Sequence, residues 1–269
     1  WPRLPVGSRR PGHAPDMTDL PFTLETTASP KVGLIVLQSD ETIERDIRRL
    51  LPNHVDMLVS RVPSSTHVTP GSLAAMGAKL EAAVRLFPEG LSFLAIGYGC
   101  TSGTAQIGLG QVSEAIRAGA STDHVTEPVS ALVAACKSLG VARIGVVSPY
   151  IASVSERLHS VLAASGVTVG DFASFNESEE SRVARISPGS IRDAAIELGQ
   201  RSEAEAIFLS CTNLRTLDVI SDVEAAIGKP VLSSNLVLAW HLLRLAQIEG
   251  AGDAPGRIWA TPETAEQAL

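Results

Sequence analysis

Two apolar runs in this chain end on the same dipeptide. Phe93-Leu94-Ala95-Ile96-Gly97-Tyr98-Gly99-Cys100-Thr101 and Ala206-Ile207-Phe208-Leu209-Ser210-Cys211-Thr212 each carry a thiol out of a stretch with the character of a buried strand. A side chain at the carboxyl end of a parallel strand sits where open α/β folds bind ligands. Two such thiols point to a site in which sulfur serves as acid, base or nucleophile. Glycines in the segment from Gly97 to Thr104 let backbone approach a ligand, and Thr101, Ser102 and Thr104 add hydroxyls. A helix starting after each cysteine would add amide donors and a partial positive charge that favours thiolate. Free cysteine is often an inert buried hydrophobe, and for Cys100 alone that reading competes; the matching Cys211 tips the balance toward chemistry. Cys136 differs, because Val129, Leu132, Val133 and Cys136 share one helical face and read as core.

Other chemistry fits less well. Gly97-x-Gly99-x-x-x-Gly103 approaches a dinucleotide fingerprint but has the wrong last spacing and no glycine counterpart before Cys211. No Cys or His pair has zinc-ligand spacing, so neither a metal nor an organic cofactor is expected. His241, beside Trp240 on an apolar helix, reads as a packed histidine rather than a base. The run Glu177-Ser178-Glu179-Glu180 reads as a solvated loop, and Arg215 as either a carboxylate clamp or a solvated helix residue.

The elements that position the thiols repeat. Lys31-Val32-Gly33-Leu34-Ile35-Val36 opens one unit as Ala142-Arg143-Ile144-Gly145-Val146-Val147 opens another; Gly33 and Gly145 lie 112 positions apart, Cys100 and Cys211 111. A nearly constant offset between separated landmarks predicts an internal duplication. Strands are expected at 32–37, 55–62, 91–97, around 124–126, 144–147, 167–172, 206–209 and 230–232. Helices are expected at 41–51, 72–87, 105–118, 128–139, 153–164, 190–200, 219–227 and 235–246. Alternating strands and helices imply parallel sheets covered on both faces. The fold class is therefore α/β: two pseudo-symmetric Rossmann-like (flavodoxin-like) halves with the active site in the cleft between them. Residues 31–140 form the half carrying Cys100 and 141–250 the half carrying Cys211. Residues 1–30 read as a tail outside the fold, its first part rich in Pro, Gly and Arg, and 251–269 as a C-terminal tail.

With 45% hydrophobic and 19% charged residues in 269, the chain can bury a sizeable core. A net charge of −7 without clustered Lys and Arg argues against nucleic acid, and no apolar run is long enough to span a membrane or resembles a signal peptide. Three cysteines, an odd count, suit a reducing compartment, so the expected location is cytoplasmic. The expected partner is a small carboxylate, with a homo-oligomer left open.

At Gly99-Cys100-Thr101-Ser102 and Ser210-Cys211-Thr212, with Val146-Val147-Ser148-Pro149-Tyr150 between them, the chain resembles the Asp/Glu racemase superfamily. The closer likeness is to its maleate cis-trans isomerase and arylmalonate decarboxylase branch. Segments such as Leu37-Gln38-Ser39-Asp40-Glu41-Thr42 and Ser210-Cys211-Thr212-Asn213-Leu214-Arg215 look most like the ectoine-utilisation protein A group. The resemblance implies Cys100 and Cys211 as catalytic residues on opposite faces of a substrate. It implies a carboxylate pocket from Thr101, Ser102, Tyr150 and the amide of Thr212, and substrate contacts from Asn176 and from the turn holding Gln38 and Asp40. The expected activity is a cofactor-independent isomerase, either a racemase or a cis-trans isomerase. The alternatives are a decarboxylase-like carbon–carbon lyase and a non-catalytic ligand-binding protein.

Overall fold

The computed structural model describes residues 20–25, 29–250 and 252–260. In the first half, β1 (Lys31–Leu37), α1 (Ile43–Leu50), β2 (Asp56–Val62), α2 (Pro70–Ala74), α3 (Gly77–Val84), β3 (Ser92–Gly99), α4 (Thr101–Ile107), α5 (Leu109–Gly119), β4 (Ser121–Thr126) and α6 (Pro128–Leu139) follow in order. The second half continues with β5 (Arg143–Tyr150), α7 (Ala152–Ala164), β6 (Thr168–Glu177), α8 (Glu180–Val183) and α9 (Pro188–Arg201). It closes with β7 (Ala206–Leu209), a 3-10 turn at Leu217–Val219, α10 (Ile220–Ile227), β8 (Val231–Ser233) and α11 (Ser234–Leu245). Each half builds one four-stranded sheet, in the orders β2-β1-β3-β4 and β6-β5-β7-β8. Every named strand pair is parallel. The identical order bears out the duplication, and β3 and β7, which precede the two thiols, occupy equivalent places.

The register explains the paired glycines. Gly33 of β1 stands opposite Ile96 of β3, and Gly145 of β5 opposite Ile207 of β7. A Cβ at either glycine would lie 2.8 and 2.9 Å from those isoleucine side chains, with Phe87 and Leu198 next in line. In both halves, then, the central strand lacks a side chain where its neighbour's isoleucine needs the space. The strands themselves are near-continuous apolar runs buried on both faces, as central parallel strands must be.

Several boundaries differ from the sequence reading for identifiable reasons. The helix expected from Ser72 to Phe87 starts earlier, because Thr69 and Ser72 form a reciprocal capping box and Pro70 takes the first helical position; it is then interrupted between α2 and α3. The helix expected from Ala105 begins at Thr101, immediately after Cys100, and breaks at Gly108, whose φ of 102° suits glycine. Strand β5 runs on through Pro149, which lies beyond the last rung to β7 and at an irregularity against β6. Helix α6 agrees with its sequence signals: Glu127 caps it through the amides of Val129 and Ser130, and Gly140 ends it in the left-handed region.

The two halves interlock. Helix α11 packs on α1, α6, β3 and β4 of the first half, and α4 packs on α7 of the second. A Cβ on Gly97 would meet Leu238 and Leu242 of α11, so small residues in β3 allow this approach. His241 of α11 is partly buried and bonded through Nδ1 to Thr126 Oγ1 at 2.7 Å; burial lowers its pKa to about 4, as befits a packed neutral ring. In the tail, Ile258 is buried and the Arg257 amide donates to Glu224 of α10. Residues 20–25 are exposed; the rest of the two expected tails is described only in part, residues 1–19, 26–28, 251 and 261–269 lying outside the described residues.

Filling the shared gap should destabilise either half. Gly33→Val and Gly145→Val are each expected to cost about 1–3 kcal/mol through overpacking, read as a lower urea midpoint with unchanged slope.

Candidate active site

Cys100 leaves β3 and becomes the N-cap of α4. Its Sγ accepts from the Gly103 amide at 3.1 Å, while its carbonyl accepts from Thr104 Oγ1 at 2.7 Å. Gly103 is required by space: a Cβ there would stand 2.7 Å from the sulfur and 2.9 Å from the Tyr98 hydroxyl. Cys211 is two residues beyond β7 and no α-helix follows it directly, so the helix-start argument holds for Cys100 alone. The Cys211 backbone has φ 147°, a conformation that disfavours a side chain. It is fixed by its surroundings: its amide donates to Ser234 Oγ at 3.0 Å and its sulfur is 3.3 Å from the Asn213 amide and 3.2 Å from the Tyr150 hydroxyl.

Both thiols line one narrow cleft, together with Leu37, Asp40, Thr101, Ser102, Tyr150, Glu180 and Thr212. Seven of the expected site residues therefore come together: Cys100, Cys211, Thr101, Ser102, Tyr150, Thr212 and Asp40. Two do not. Gln38 is exposed, with its backbone N–H donating to the Val62 carbonyl, and Asn176 is exposed at the end of β6 with φ 56°. In place of those amides the cleft holds a carboxylate the sequence reading assigned to solvent. Glu180 is 3% exposed; its Oε1 accepts from Tyr150 at 2.7 Å and its Oε2 from Asn213 Nδ2 at 2.8 Å.

The inward turn of Glu180 comes from chain pairing. The Val68 and Glu180 amides donate to the Ser178 and Thr66 carbonyls, stapling residues 178–180 to a loop of the first half. Glu177 and Glu179 point outward to Arg182 and His67, leaving Glu180 to face the cleft. Asp40 is likewise more than a substrate contact: Oδ1 caps α1 through the amides of Thr42 and Ile43, and Oδ2 accepts from Thr212 Oγ1 at 2.8 Å. Ser234, Asn213 and Asn235 were also missed; the last bridges Asp46 Oδ2 and the Thr212 carbonyl. Arg215 does not line the cleft, and Cys136 is fully buried on α6.

Comparison with known proteins agrees with this geometry. Residues 117–259, more than half of the chain, match the family model described as Arylmalonate decarboxylase (Amdase). The chain belongs to the Amdase family. Among its relatives, maleate isomerase of Nocardia farcinica is 28% identical over 240 residues, 85% of this chain and 94% of that one. Arylmalonate decarboxylase of Bordetella bronchiseptica is 25% identical, covering 87% and 97%. In three dimensions the chain is similar to a Nocardia farcinica maleate cis-trans isomerase mutant holding a covalently bound succinylcysteine intermediate. That similarity has a TM-score of 0.78 at 25% identity, over 87% of this chain and 99% of the other. These relatives place the chain in a cysteine-dependent group of isomerases and decarboxylases.

The electrostatics of this Amdase-family site run against the sequence expectation of a resting thiolate. Burial pushes Cys100 up to about 12, with Glu180 and Asp40 adding to the rise, and it outweighs the Gly103 amide and the Tyr98 hydroxyl. Cys211 is raised well above the usual thiol value for the same causes, burial first and Glu180 next. Asp40 and Glu180 are also raised, again by burial, and are held back by the hydrogen bonds they accept. No Lys or Arg lines the cleft among the described residues. Removing charge from water costs more here than a short helix start returns.

In the unliganded protein Cys100 is therefore a neutral thiol. Its iodoacetamide labelling at neutral pH should run roughly a thousandfold below that of an ordinary thiol and still rise past about pH 10. A plateau near the ordinary thiol value would contradict this.

Proposed function

We propose that the chain is a cofactor-independent two-thiol isomerase of the cytosol, acting on a small carboxylate. The observation that carries this reading is that Cys100 and Cys211, delivered by equivalent strands of a duplicated fold, line the same cleft with hydroxyl-bearing Thr101, Ser102 and Thr212 beside them. Hydroxyls and amides can hold a carboxylate where no basic side chain is present. The substrate carboxylate would rest on Thr101, Ser102 and the Thr212 amide, with its reacting carbon between the sulfurs; Tyr150, expected in the same pocket, donates its hydroxyl to Glu180 instead.

Two routes use such a pair. In racemisation one thiolate removes the α-proton and the opposite thiol returns one to the other face. In cis-trans isomerisation a thiolate adds to the alkene, the resulting single bond rotates, and elimination restores the double bond. The succinylcysteine captured in the Nocardia isomerase supports the addition route for that relative. Decarboxylation, the activity named for the Bordetella relative, needs one thiol as proton donor and leaves Cys100 without a role. The relatives reported above are a maleate isomerase and an arylmalonate decarboxylase, so the nearer likeness to ectoine-utilisation protein A rests on sequence segments alone.

Screening maleate, aspartate, diaminobutyrate derivatives and hydantoins for isomer formation or loss of optical rotation tests the reading. Cys100→Ala and Cys211→Ala should each lower turnover at least about 100-fold in folded protein, the range for losing a proton-transfer group. Cys136→Ala should retain turnover and lose about 1 kcal/mol of stability. Turnover that survives loss of either cleft cysteine would defeat the two-thiol mechanism.

A further inference from the structure

We propose that Glu180 takes the proton of Cys211 through the Tyr150 hydroxyl, so that this thiol ionises with its proton kept inside the site. The inference rests on the reading of Cys211 as a working thiol, and it adds a residue that the sequence placed in solvent. Three buried groups stand in line: Cys211 Sγ is 3.2 Å from Tyr150 Oη, and Tyr150 Oη donates to Glu180 Oε1 at 2.7 Å. Asn213 fixes both ends of the line. Its side chain donates to Glu180 Oε2 at 2.8 Å, its own amide approaches the sulfur at 3.3 Å, and its Oδ1 is anchored by the Glu41 amide at 2.9 Å.

The proton balance is closed. The Cys211 S–H bond breaks as its proton moves to Tyr150 Oη, and the Tyr150 O–H bond breaks as that proton moves to Glu180 Oε1. Afterwards neutral Glu180 donates to Tyr150, and Tyr150 donates to the thiolate. Tyrosine stays protonated throughout, which suits a phenol held well above its usual pKa by burial. Glu180 acts on sulfur only through Tyr150 and is in that sense a positioning residue.

The surroundings leave Glu180 as the acceptor. The titratable groups facing it are Tyr150 and Cys211 from the second half and Asp40 and Cys100 from the first. Its own segment adds Glu177, Glu179 and Arg182, paired outward with Arg182, His67 and Glu177 respectively. Asp40 already accepts from two amides and Thr212, and its hydrogen bonds reach neither sulfur. Burial raises the Glu180 carboxyl above its ordinary value, which makes it a better proton acceptor than an exposed carboxylate.

The test is the pH profile of Cys211 alkylation by iodoacetamide, read by peptide mass spectrometry on the full chain without substrate. If ionisation leaves the proton on Glu180, the wild-type rate rises about tenfold per pH unit only until Glu180 has lost its proton, then flattens across the following units. Glu180→Gln removes the acceptor, so its rate should rise about tenfold per unit from about pH 5 to about pH 10 without a break. Tyr150→Phe should lower the Cys211 rate about tenfold or more at neutral pH, since the thiolate loses its donor. Cys136 reports folding in the same digest, staying unlabelled while the core is intact. A wild-type profile with a single slope overturns the proposal whatever the variants do, as does a break that persists in Glu180→Gln or a Tyr150→Phe rate equal to wild type. Because no substrate is present, these outcomes are independent of whether the isomerase reading of turnover holds.

Discussion

One hydroxyl touches both cysteine loops. Ser234 Oγ accepts from the Cys211 amide at 3.0 Å and shares a 2.7 Å hydrogen bond with Thr101 Oγ1, and Ser234 is completely buried. It sits at the start of α11, the helix that leaves the second sheet to pack on the first. Position along the chain and position in space thus meet at one atom: the element that locks the halves together also sets the loops that carry the thiols. Around it, Asp40 to Thr212, Thr42 to the Asn213 carbonyl, and Asn235 to Asp46 form a buried polar seam whose partners are separated by more than 170 residues. Except for Asn235 Oδ1, which has no hydrogen-bond partner, the polar atoms named here are paired across the halves, so the seam specifies one relative placement of the halves rather than adding generic stability.

The same dryness governs the chemistry. Two thiols and two carboxylates share a cleft that no Lys or Arg lines among the described residues, so burial holds both thiols well toward their neutral form. Low local dielectric makes each hydrogen bond there stronger, and it makes each uncompensated charge more expensive. A seven-residue helix start beside Cys100 supplies only partial charges, and these lose to desolvation. Reactivity in such a place depends on where a proton can go, which gives the Tyr150–Glu180 contact its importance over any standing thiolate.

Much of this was legible in the sequence, and the misses share a cause. Strand ends with Cys-Thr, the paired Gly33 and Gly145, the Pro128 start and the Gly140 stop of α6 are local signals, and each corresponds to a feature of the fold. Boundaries failed where side chains rather than periodicity decide, as at the Thr69–Ser72 box and at Gly108. Glu180 failed for a deeper reason. Within Glu177-Ser178-Glu179-Glu180 nothing local distinguishes the inward acid from the outward ones; the distinction is made by pairing with residues 66–68, more than a hundred positions away. Gln38 and Asn176 failed in reverse: the family resemblance suggested polar contacts near those turns, and the cleft takes its acids from Asp40 and Glu180 instead.

The duplication is closest at the level of strands and ends at the loops. After β3 the chain enters a helix at once, and Cys100 accepts from the Gly103 amide, while the neighbouring Tyr98 hydroxyl, which has no hydrogen-bond partner, makes no hydrogen bond to a carboxylate. After β7 the chain turns through Cys211 in a strained conformation, and that sulfur meets Tyr150, which does. Each thiol has a tyrosine hydroxyl beside it, yet only Tyr150 is backed by an acid. The duplicated strands bring both sulfurs to one cleft, and the loops leave only Cys211 joined through a tyrosine to an acid, so the asymmetry between the two thiols arises in the loops and not in the sheets.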